Sequence, residues 1–160
     1  MSTPPSLHSA KLGPLVPHLP DDEPEALGLK AVWNLPVEGD FDVVLPETDG
    51  LHSPQEWQEL VAKLDQDFEA LMTTVPKIRQ TISEDILQHI KESFEPTQPL
   101  ETPADLAKDQ RMSLTEVIYF PTGEVRLIYQ IDTLDPDFGR VDYCVDLTAD
   151  REIADAYFDG

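Results

Sequence analysis

The chain has 160 residues, and its 32 acidic side chains against 11 basic ones leave a net charge of −21 at neutral pH. Such a charge repels nucleic-acid phosphates and anionic lipid surfaces, which excludes both as partners and favours a cation or a basic protein. The single cysteine, Cys144, excludes an internal disulfide and a multi-cysteine metal site, and the 15 prolines imply long stretches of loop.

Residues 1–26 read as a flexible, proline-rich arm that ends in the acidic run Asp21-Asp22-Glu23-Pro24-Glu25. Only Leu12, Leu15, Val16 and Leu19 are available there to pack. The arm lacks the unbroken apolar run of a signal peptide, and no later stretch reaches the ~20 apolar residues of a membrane helix. A soluble, cytoplasmic protein is the expectation.

Residues 27–160 read as a single α+β domain. Leu29, Ala31, Trp33 and Leu35 alternate with Lys30, Val32 and Asn34, which is the period of a strand. Val37-Glu38-Gly39-Asp40 supplies a turn into a second strand through Phe41, Val43 and Leu45. Ser53-Pro54-Gln55-Glu56 then opens a helix: serine caps, proline takes the first helical position, and glutamate reaches back to the cap. Its stripe runs through Trp57, Leu60, Val61, Leu64, Phe68, Leu71 and Met72. Pro76 predicts a break, because it lacks the amide donor and disfavours a helical Val75. A second helix is predicted beyond it, with Ile78, Ile82, Ile86, Leu87, Ile90 and Phe94 on one stripe.

Thr102-Pro103-Ala104-Asp105 resembles another helix cap, and strands follow. They cover Leu114 to Phe120, Glu124 to Ile131, Val141 to Leu147 and Glu152 to Phe158, with turns at Pro121-Thr122-Gly123 and along Asp132 to Gly139. The expected architecture is an antiparallel sheet with two consecutive amphipathic helices packed on one face, in the order β-β-α-α-β-β-β-β. Asp142 and Asp146 fall on the opposite, solvated face.

No catalytic residue, metal site or cofactor emerges from the sequence, so an enzyme is not expected. His8, His18, His52 and His89 include no pair four apart, and there is no P-loop, G-x-G-x-x-G or G-x-S-x-G. Asp132, Asp135 and Asp137 sit at spacings reminiscent of a calcium loop, but Pro136 stiffens the segment and no glutamate stands at the twelfth position. The acids from Asp132 onward outnumber Arg140 and Arg151, the two bases there. Asp132, Asp135, Asp137, Asp142 and Asp146 are therefore the candidate partner-binding residues, on a face that would speed association with a basic protein.

The segment Leu114-Thr-Glu-Val-Ile-Tyr-Phe-Pro-Thr-Gly123, the strand from Val125 to Tyr129, and the ending Val141 to Leu147 with Ile153 to Gly160 carry a resemblance. The succession resembles small bacterial domains of uncharacterised function, some of which look like immunity proteins of polymorphic toxin systems. That resemblance implies a cytoplasmic protein that neutralises a cognate toxin by binding it, and it assigns no functional residue. A small enzyme or metal-dependent accessory protein, or a structural assembly subunit, are the alternative readings.

Overall fold

The computed structural model describes residues 7–17, 28–35, 38–46, 54–93, 112–133, 135–137 and 139–159. Eight strands and one helix appear among them. Strands β1 (Leu7–Ser9), β2 (Gly13–Pro17), β3 (Gly28–Leu35) and β4 (Gly39–Pro46) form an antiparallel meander. Helix α1 (Pro54–Ser93) follows, then β5 (Met112–Tyr119), β6 (Val125–Asp132), β7 (Arg140–Leu147) and β8 (Ile153–Asp159), again an antiparallel meander. The halves join where β5 lies parallel to β4, so the strands stand in the sheet in sequence order.

The expected pair of helices is corrected to one helix of 40 residues, and the order β-β-α-α-β-β-β-β to four strands, a helix and four strands. Pro76 lies inside α1 with its ring exposed. The missing amide frees the carbonyl of Met72, yet the buried stripe keeps phase across the site through Leu71, Val75, Ile78 and Ile82. Packing of a continuous stripe outweighs the local cost, which is ~3 kcal/mol for proline in a helix interior. Thr73 and Thr74 donate their hydroxyls to the carbonyls of Glu69 and Ala70, each at 2.8 Å, a back-bonding that accompanies helix bending.

One helix also explains the parallel pair. A single pass delivers the chain to the opposite end of the sheet, so β5 must run in the direction of β4; two antiparallel helices would have returned it to the same end. The expected cap at Thr102-Pro103-Ala104-Asp105 lies outside the described residues, as does Phe94.

The sheet curls around the helix. Within one turn, Asp65 bonds the β1–β2 turn, Phe68 packs edge-on against Trp33 of β3 at 4.9 Å, and Asp67 meets Tyr119 of β5 and Arg151 of the β7–β8 turn. Across a flat sheet, β1 and β8 would stand ~33 Å apart at ordinary strand spacing, too far for one helical turn to touch both flanks. Leu29, Phe41, Val43, Leu45, Leu127 and Val145 line the inner face of this trough beneath Leu64, Leu71, Ile82 and Ile86.

The segment read as an arm contributes β1 and β2. Leu15 is buried, Leu12 packs against the core and Val16 is half exposed. Asp65 clips their turn to the helix, accepting from the Ser9 hydroxyl, from the Ala10 amide at 2.9 Å and from the Lys11 amide at 3.3 Å.

Inside the trough lies an ion pair that nothing in the periodicity announced. Arg79 of α1 donates to Glu38 of the β3–β4 turn at 2.8 Å, with side chains 3% and 1% exposed. Burial raises the Glu38 carboxyl above its ordinary value, opposed by Arg79 and by the Leu114 amide. The second oxygen of Glu38 and the Tyr129 hydroxyl have no hydrogen-bond partner among the described residues. Burial, with the charge of Glu38 added, holds that hydroxyl protonated far above the usual tyrosine range.

Candidate interaction surface on the open sheet face

Alternation along each strand sends every second side chain away from the helix, and no described element covers that outer face. Register places Val16, Lys30, Val44, Ile118, Arg126, Asp146 and Asp155 in one row across the sheet. A second row holds Val32, Asp42, Glu116, Ile128, Cys144 and Tyr157. An apolar band with an acidic majority results. Asp40, Asp42, Glu116, Asp132, Asp142, Asp146 and Asp155 face outward, against Lys30, Arg126 and Arg140.

Two of the three bases on this face lie against carboxylates. Arg126 holds Asp146 through Nε at 2.7 Å and Nη2 at 3.4 Å, and this hydrogen bond is the main cause of the raised pKa of its guanidinium. Lys30 lies 3.6 Å from Asp42, and Arg140 donates to Gln130 at 3.3 Å. Asp40 accepts from Asn34 at 2.7 Å. Val44 and Cys144 are buried even here, the latter between Ile128 and Tyr157, so the thiol is shielded.

The five aspartates singled out by sequence part company. Asp135 is 4% exposed and builds its own turn: its carboxylate accepts the Asp137 amide at 2.9 Å and its carbonyl the Gly139 amide at 2.8 Å. Thr133 closes the same turn, its hydroxyl donating to the Gly139 carbonyl at 2.8 Å. Asp146 is tied to Arg126, and Asp132 is half-buried opposite Arg140. Asp137 and Asp142 are exposed. The outward register of β4 and β5 adds Asp42 and Glu116, which lie outside the acidic C-terminal segment, and that of β8 adds Asp155, one of the acids of that segment.

A second polar cluster fixes the rim. Arg151, at φ 69°, spans from Asp67 at 3.2 Å to the carbonyls of Gly123 and Ala149, each at 3.0 Å. Tyr119 donates to the same Asp67, and burial followed by that carboxylate holds its hydroxyl well above the usual tyrosine range. Lys63 donates to the Pro121 carbonyl at 3.0 Å. These contacts pin the β5–β6 and β7–β8 turns to the helix, which gives the open face a rigid upper edge.

Among the described residues no group of histidine, cysteine and carboxylate side chains is placed to hold a metal ion, and no helix is long and apolar enough to cross a membrane. Comparison with family models, with curated proteins and with solved structures returned no match.

Proposed function

We propose that this protein is a cytoplasmic inhibitor that binds another protein through its open sheet face, acting as an immunity protein that neutralises a cognate bacterial toxin. The observation that carries this reading is the imbalance of that face: seven outward carboxylates surround an apolar band against three bases, two of which, Arg126 and Lys30, lie against Asp146 and Asp42. Apolar surface rimmed by polar groups is the make-up of an interaction site, and one-signed charge speeds encounter with an oppositely charged protein. The curled sheet held against one long helix supplies a stiff support, so little ordering entropy is lost on docking. The toxin itself is inferred from the strand-and-turn resemblance together with the acidity.

The experiment is co-expression with the product of the adjacent reading frame, followed by pull-down and a growth-protection assay. A stable complex that restores growth supports the reading. Growth arrest that this protein does not relieve, with no complex formed, sinks it.

A further inference from the structure

Beside the β5–β6 turn, the open face carries a cleft of about 570 Å³. Phe120, Pro121, Leu147 and Ala154 give it apolar lining, and Glu124, Asp146 and Asp155 bring carboxylates to it against the single guanidinium of Arg126. The sheet itself makes the space. Pairing of β7 with β8 passes from Asp146↔Asp155 to Leu147↔Ile153, so Ala154 is an extra residue in a bulge, and its methyl leaves room where a larger side chain would fill. The same register sets Asp146 and Asp155 directly opposite each other, a like-charge pair that costs stability. Arg126 compensates Asp146 alone; among the described residues no base is paired with Asp155.

We propose that this cleft receives one basic side chain, an arginine or lysine, of the partner protein. This rests on the reading of the open face as the docking surface and specifies its anchor. Long basic side chains combine an apolar stem with a charged head, and the cleft offers both complements. The stem lies along Phe120, Leu147 and Ala154, and the head reaches Asp155 and Glu124 while Arg126 keeps Asp146. An anionic group would meet three carboxylates. Across Pro121 a second hollow of about 270 Å³ is lined by Glu56, Glu59 and Lys63, so carboxylates continue beyond the ridge on the path of a basic segment.

The test is titration of the full-length, ¹⁵N-labelled protein with acetyl-Gly-Arg-Gly-amide and with its citrulline counterpart, which keeps the shape and removes the charge. Saturable shifts confined to the amides of Glu124, Arg126, Leu147, Ala154 and Ala156, absent with citrulline, are the expected result. Asp155→Asn weakens the arginine peptide about tenfold through loss of a charge-assisted bond. Glu124→Gln, on a different element, weakens it in the same direction, so the outcome does not hang on one variant folding. Equal shifts with citrulline, shifts as large around Asp137 and Asp142, or arginine binding untouched in both variants overturns the cleft. The docking reading fails by a separate result: association with the toxin that is indifferent to charge reversal at Asp137 and Asp142.

Discussion

Glu38 and Arg79 are buried together, and the two halves of the pair have unequal means of escape when parted. Replacing Glu38 with methionine leaves a guanidinium that stays charged at any accessible pH. Breaking a buried pair from that side costs about 3–5 kcal/mol. Replacing Arg79 with methionine leaves a carboxylate, which can take up a proton. Holding a carboxyl of ordinary value 4.5 neutral at pH 7 costs at most about 3.4 kcal/mol, which caps the ionisation part of the loss. That cap falls by about 1.4 kcal/mol for each pH unit toward 4.5.

The signs then separate. The folded value of Glu38 is raised, so its contribution to stability is fully present below 4.5 and is lost as pH rises through the folded value. Arg79→Met raises it further, so that variant gains more than the wild type on acidification and its deficit shrinks. Glu38→Met has no such gain, and its deficit holds or grows. The double variant, a hydrophobic pair of similar volume, matches or exceeds the wild type. Urea unfolding of all four proteins near pH 7 and near pH 5 measures this. Deficits of both single variants that move together with pH would overturn this assignment of signs.

Asp65→Ala removes the acceptor shared by the Ser9 hydroxyl and two amides. Amide exchange in β1 and β2 should quicken by at least tenfold while exchange in β6 is unchanged, since local opening is separable from global unfolding; equal acceleration throughout would contradict it. Pro76→Ala restores a helix donor and is expected to raise stability by about 1–2 kcal/mol, read from the urea midpoint. A loss would mean that the proline ring helps the helix to follow the trough. Arg151 sits at φ 69°, so Arg151→Gly and Arg151→Ala lose the same contacts but glycine relieves the backbone. Glycine should be the more stable of the two by about 1 kcal/mol in thermal unfolding, and parity would remove the backbone contribution.

Much of the strand pattern was legible because alternation on a half-buried sheet is a strong signal. The β3–β4 hairpin and the segments of β5 to β8 stand where that alternation placed them, and α1 starts at the Pro54 that the capping pattern indicated. Pro76 misled twice, since dividing the helix also reversed the implied direction of β5 against β4. A rule of local conformation lost to a stripe that stays in phase over the whole helix. Arg79 and Glu38 were illegible for another reason: one is a charge beside an apolar stripe, the other a residue in a turn, and both ordinarily mean solvent. At the candidate face, counting acids treated equals as equal. Pairing then ties Asp146 to Arg126, and turn-building buries Asp135, facts that reside in cross-strand register and local turn geometry and not in composition.

In the proposed docking mode, exposed carboxylates of the sheet face and of the β6–β7 turn draw in a basic partner. Its most direct test is the association rate of the purified toxin with the wild type and with the Asp137→Lys/Asp142→Lys variant, at low and at physiological salt. The variant should associate at least about tenfold more slowly at low salt, with a gap that narrows as salt is added and a dissociation rate that changes far less. Equal association rates at both salt concentrations would contradict it.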